Sequence, residues 1–218
     1  MERPPFRYIC QLQPADGLGL CTGTLIGPNK VLTAAHGVFD RARGRTRGRL
    51  RVVPAKNGPG RTRAEEPFGS AWTRHVNLPA GYARASDYWT AARFDYAVLT
   101  LDRPLGHQAG WWRWIGVVPS SALRQARLRT AGYPADRGGH HLYGSRDRAV
   151  RVGERLIEYA NDTMPGQSGS PVWLRRGPRR ILAAIHKRGD DPRSPGLANA
   201  GVRITPAVLR EIRRWLRG

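Results

Sequence analysis

Lysine is nearly absent from this chain. Lys30, Lys56 and Lys187 are the only three among 37 basic residues, and the rest are arginine. Cysteine is as scarce, with Cys10 and Cys21 alone and no C-x-x-C pair, which argues against the usual zinc spacings. No metal and no cofactor is expected. No apolar run approaches 18 residues, so no transmembrane helix is expected. The opening MERPPFRYIC has no apolar stretch and does not read as a signal peptide. Acidic residues are few: 16 against 37 basic ones, a formal net charge of +21.

That charge admits nucleic acid or another polyanion as a partner. The arginines are spread along the chain rather than gathered in a tail, and an arginine-rich solvated surface is the simpler reading. Arg41, Arg43, Arg45, Arg47, Arg49 and Arg51 alternate with other residues and read as a flexible, solvated loop entering a strand. No aromatic residue interleaves them, as a single-strand nucleic-acid groove would require.

What is present is turn chemistry and short β-segments. The 218 residues include 26 Gly and 17 Pro. RYICQLQ, CTGTLIG, KVLTAAH, RLRVVPA, DYAVLTLD, RLRTAGYP, ERLIEYA, SPVWL, RILAAIHK and GVRIT read as strands between Pro, Gly and Asp clusters. Strands this frequent imply a sandwich or barrels, not βαβ units. The end of the chain breaks the pattern. Thr205 can cap a helix, Pro206 suits its first position, and Val208, Leu209, Ile212, Trp215 and Leu216 share one face. A midpoint between two barrels falls between Leu105 and Ser121, giving halves of roughly 1–110 and 111–218 in one unit.

Cys10 and Cys21 flank a hairpin with a Pro-Ala-Asp-Gly turn, which could bring their sulfurs together as a disulfide or leave two buried thiols. A disulfide would point to an oxidising compartment, secreted or periplasmic. The absence of a recognisable signal peptide points instead to the cytoplasm.

DTMPGQSGSPVW, from Asp162 to Trp173, is the segment that carries chemistry. Small residues there make a tight turn before a strand. A serine hydroxyl is a poor nucleophile and needs a base, a group that orients the base, and N–H donors for the oxyanion. Gly166 would let the backbone N–H groups of Gly166, Gln167 and Ser168 converge on one oxygen. The G-x-S-x-G elbow does not fit, because Ser170 replaces its second glycine and Pro171 leads into a strand. Among six histidines, His36 closes the apolar run VLTAAH and is the candidate base. Asp95, at the head of DYAVLTL, is the candidate orienter. The order His36, Asp95, Ser168 is one of the known triad orders.

CTGTLIGPNKVLTAAHGVF, FDYAVLTL and DTMPGQSGSPVW together resemble the chymotrypsin-like serine peptidases, and within them the bacterial glutamyl endopeptidase branch. GYPAD, AIHKRGD and NAGVRIT extend the resemblance over nearly the whole chain. It implies an all-β fold of two six-stranded antiparallel barrels of chymotrypsin type with a C-terminal helix. It implies an endopeptidase acting on proteins or peptides through an acyl-enzyme, with His36 as general base, Asp95 orienting it, Ser168 as nucleophile and Gly166 and Ser168 supplying the oxyanion donors. It also implies a preference for Glu, or Asp, before the cut, read by His186 and Thr163. Asp162 would instead favour Arg or Lys if it entered the pocket, so a basic or broad preference is the alternative. A catalytically silent fold that binds a polyanion is the reading from another class. Gly37 stands where animal relatives carry a cysteine, which the resemblance turns into an expectation that Cys21 pairs with Cys10.

Overall fold

The computed structural model of the protein describes residues 2–15, 21–188 and 199–218. Six strands close the first barrel: β1 (Ile9–Pro14), β2 (Cys21–Leu25), β3 (Lys30–Thr33), β6 (Leu50–Pro54), β7 (Ala71–Asn77) and β8 (Ala97–Leu101). They pair in the order β1-β2-β3-β8-β7-β6, and β4 (Phe39–Asp40) and β5 (Arg45–Thr46) form a separate hairpin. The second barrel holds β9 (Arg127–Gly132), β10 (Tyr143–Val152), β11 (Leu156–Tyr159), β12 (Pro171–Arg176), β13 (Arg179–Arg188) and β14 (Asn199–Arg203). Its order is β10-β11-β14-β13-β12-β9, and it is also closed. Every neighbour pair in both barrels is antiparallel.

The apolar runs of β3 and β8 follow from their position. Val31, Ala97 and Leu99 point into the first barrel, while Leu32 and Val98 join a separate cluster with Leu182, Ile185 and Val202 of the second. Successive side chains face opposite ways on a strand, so a strand buried on both faces reads as continuous apolar sequence. The C-terminal helix (Pro206–Arg217) seals that cluster with Val208, Ile212 and Trp215. Each such burial stabilises by about 2 kcal/mol. The Thr205 hydroxyl oxygen accepts the Val208 N–H at 3.3 Å, the cap its sequence position predicts.

Two expectations are corrected. Cys10 and Cys21 do lie on paired strands, but the register sets Cys10 opposite Gly23 and Leu12 opposite Cys21. Such diagonal neighbours have Cα atoms roughly 7 Å apart, whereas disulfides hold Cα atoms at about 5.5–6 Å. Both thiols are free, and the sulfur of Cys21 faces Gly37 instead, 2.4 Å from where a side-chain carbon would sit. Burial and the nearby Asp95 charge push the Cys21 thiol up to about 12, far from a reactive thiolate. The compartment argument from a disulfide therefore has no footing. The turn between the cysteines runs into residues 16–20, outside the described residues.

The arginine-rich segment is not uniformly solvated either. Arg51 is buried, and its two Nη atoms grip the two carboxylate oxygens of Glu66 at 2.9 and 2.5 Å. The buried Lys56 ammonium reaches the same carboxylate at 3.1 Å.

Candidate active site

The candidate residues come from three places. His36 sits in a short 3-10 turn (Ala35–Gly37) just after β3, Asp95 precedes β8, and Ser168 lies in the turn between β11 and β12. His36 Nδ1 and Asp95 Oδ2 are 2.8 Å apart, and the His36 backbone N–H donates to Oδ1 at 2.9 Å. Both carboxylate oxygens are thus spent on one residue, which fixes the imidazole and defines its Nδ1 as the proton-bearing nitrogen. The side chain of His36 is 38% exposed and that of Asp95 only 5%, so the imidazole faces solvent while its partner is sealed. Burial works to raise the Asp95 pKa, but the charge and hydrogen bonds of His36, with the Lys187 charge beyond, outweigh it and hold the carboxyl below its usual range.

The Ser168 turn is pinned to the first barrel through its backbone. The Thr22 N–H donates to the Ser168 carbonyl at 2.8 Å, and the Thr22 hydroxyl donates to the Gly166 carbonyl at 2.9 Å. Gly169, at φ +89°, passes so close that an added side-chain carbon would lie 2.0 Å from Thr22 O and 2.9 Å from Ala34 N. Only glycine tolerates both that angle and that approach. Ala34 is two residues from His36, so this contact carries the serine turn to the histidine. Thr22 is a positioning residue that the sequence reading missed; nothing in CTGTLIG separates a buried hub threonine from an ordinary strand threonine.

Of the three residues expected to supply N–H groups to an oxyanion, Gln167 drops out. Its N–H donates to Met164 O at 3.1 Å, and its side-chain oxygen accepts the Met164 N–H at 2.8 Å. Gln167 braces the turn. Among the described residues, the N–H groups of Gly166 and Ser168 donate to no backbone carbonyl. Gly166 holds φ +93°, with Tyr133 O 2.4 Å from where a side-chain carbon would sit.

His186 and Thr163 lie on the other side of the turn. His186 is buried on β13, its Nδ1 2.6 Å from the Tyr159 hydroxyl. Its backbone is bonded to the turn twice: its carbonyl accepts the Gly169 N–H at 2.7 Å and its N–H donates to Ser170 O at 2.9 Å. The buried Thr163 hydroxyl donates to Asn199 Oδ1 at 2.5 Å, and Asn199 Nδ2 donates to Asn161 O at 2.6 Å. Asp162 is exposed, and its N–H donates to Ser145 Oγ at 2.9 Å. Among the described residues, no cluster of three or more His, Cys, Asp or Glu side chains could hold a metal ion.

Residues 21–178 match the model of the trypsin-like peptidase domain. The chain belongs to that family. Glutamyl endopeptidase of Bacillus licheniformis is 30% identical over 217 residues, which covers 97% of this chain and 63% of that protein. Human serine protease 23 is 30% identical over 220 residues, covering 91% of this chain and 56% of that protein. The chain thus spans about three fifths of the length of these curated relatives. A solved structure of a Glu endopeptidase superposes with a TM-score of 0.85 at 26% identity, covering all of this chain and 94% of that one. The two closed barrels and the C-terminal helix are the chymotrypsin-like fold.

Proposed function

We propose that the chain is a serine endopeptidase that cuts after glutamate and, more weakly, aspartate. The observation that carries the catalytic part is the double bond of Asp95 to His36, at 2.8 Å to Nδ1 and 2.9 Å to the backbone N–H. With Nδ1 committed, Nε2 is the nitrogen that takes the Ser168 proton as Oγ attacks the peptide carbonyl. The tetrahedral oxyanion is met by the N–H groups of Gly166 and Ser168. His36 then returns the proton to the leaving amine, and water hydrolyses the acyl-enzyme by the same steps in reverse.

The acidic preference rests on the pocket chemistry. When the Tyr159 hydroxyl donates to His186 Nδ1, the ring carries its hydrogen on Nε2 and presents a donor. The Thr163 hydroxyl is a second donor, and a substrate carboxylate would replace Asn199 Oδ1 as its acceptor. A basic preference would need the Asp162 carboxylate in the pocket, and its exposure speaks against that.

Cleavage of a peptide library, with the residue before each cut identified, tests both parts. Cuts after Glu that vanish in Ser168→Ala are the expected result. Cuts after Arg or Lys would retain the catalytic residues and overturn the pocket. No cutting, with no labelling of Ser168 by a phosphonofluoridate, would overturn the enzyme reading.

A further inference from the structure

A cavity of about 260 Å³ opens beside His36, between the imidazole, Tyr82, Tyr88 and the start of β8. Lys187 and Arg41 both line it. Lys187 is only 4% exposed, and its Nζ donates to the Tyr88 hydroxyl at 3.1 Å and lies 4.8 Å from the Tyr88 ring centre. Among the described residues, no carboxylate lies within ion-pair distance of that ammonium. Asp95 shares the cavity, but both its oxygens are on His36.

Arg41 is in the same condition. Its Nη2 donates to the carbonyls of Ala85 and Asp87, its guanidinium stands 5.7 Å from the Tyr82 ring centre, and its Nε is buried without a partner. Two cations therefore line one cavity with a single anion, Asp95, whose charge Lys187 helps to hold, and among the described residues neither cation makes an ion pair. One anion between two cations leaves a positive charge without a counter-charge, which is costly in a sheltered site, and a cavity of this size admits a side chain that would supply one.

Strand geometry says which side chain. His186 and Lys187 are consecutive on β13, and His186 faces the Tyr159 side while Lys187 faces Tyr88. An extended peptide also sends successive side chains to opposite sides. A substrate whose residue at the cut enters beside His186 sends the preceding side chain toward His36 and Lys187.

We propose that this cavity is a subsite for a carboxylate side chain, which Lys187 and Arg41 bind, and that it receives the residue immediately before the one at the cut. The inference rests on the endopeptidase reading for its register, but not on which residue is preferred at the cut.

The test is a peptide series with the preferred residue fixed at the cut and Glu, Gln or Ala before it. A charged hydrogen bond in a sheltered site is worth about a ten-fold preference. The Glu peptide is expected to exceed the Gln peptide by that factor in kcat/KM, mostly through KM. The ratio is taken within each variant, so that changes in turnover cancel. It should collapse toward one in Lys187→Met, persist in Lys187→Arg and shrink in Arg41→Met. Equal rates for Glu and Gln, or a ratio unchanged in Lys187→Met, would overturn the subsite. Binding of the same peptides to Ser168→Ala, by calorimetry, reads the subsite without turnover. A ten-fold tighter Glu peptide there, with no hydrolysis by the intact chain, would keep the subsite and remove the endopeptidase reading. Equal or undetectable binding of both peptides would remove the subsite.

Discussion

On the first-barrel side of the cleft, two buried carboxylates are held by paired groups. Asp95 is bound twice by His36, and Glu66 is held by Arg51 and Lys56. On the second-barrel side, the groups behind the serine turn are neutral and linked in short chains: Tyr159 to His186, and Thr163 to Asn199 to Asn161. Removing one partner of a buried ion pair costs several kcal/mol, whereas exchanging a neutral hydrogen bond for another costs about 1 kcal/mol or less. The first side is therefore built to stay as it is. The second can release Asn199 and accept a ligand in its place. On the proposed function, the two kinds of bonding divide the labour between a fixed base and an exchangeable pocket.

The comparison can be broken at its strongest point first. Asp95→Asn keeps the shape but reverses the hydrogen-bonding preference at Nδ1, and kcat/KM is expected to fall by about ten-thousand-fold with little change in KM. A fall of less than ten-fold would mean that the paired side is not the catalytic side. Next is Glu66→Gln, which leaves Arg51 and Lys56 buried with no counter-charge. Urea unfolding should show a loss of about 3 kcal/mol; an unchanged midpoint would dissolve the contrast between the two sides.

A smaller effect tests the sign of the Asp95 contribution to stability. Its carboxyl is held below the usual range, so its contribution to stability is fully present above about pH 4 and is lost as pH falls through the depressed value. In His36→Ala the burial that raises this pKa is less opposed. The decline in stability between about pH 5 and 3 should then flatten or reverse. An identical acid slope in the two proteins would show that His36 is not what holds the charge. Last comes Tyr159→Phe, which removes the partner of His186 Nδ1. It should lower the preference for Glu over Gln at the cut about ten-fold, with thermal unfolding showing only a small change. Loss of folding instead would place Tyr159 among the fixed groups.

The strands that could be read from sequence are those whose apolar residues have a core to enter. β3 and β8 were legible because both of their faces are covered, and β12 and β13 because of PVWL and ILAAI. Besides the short β4–β5 hairpin, two barrel strands escaped. β7 carries Arg74 and His75 in its middle, and β10 runs YGSRDRAVRV with most of its side chains exposed. β10 is held by ladders to β9 and β11 on its two edges, which leave no trace in side-chain hydrophobicity. The same limit applies at the site. His36, Asp95 and Ser168 stand in distinctive local contexts. Lys187 and Thr22 do not, because their importance lies in partners 99 and 144 positions away. The burial of Arg51 was hidden for the same reason, since Glu66 lies beyond the arginine run.

The contact of Gly169 with Thr22 and Ala34 has one more consequence. The serine turn belongs to one barrel and the histidine to the other, and what joins them is a backbone touching a backbone where a single methyl group would intrude. Neither half of the chain holds both the serine turn and the histidine, so the hydrolysis proposed above has no assembled site in a nascent chain still missing its last strands. On that proposal, completing the fold is what arms it.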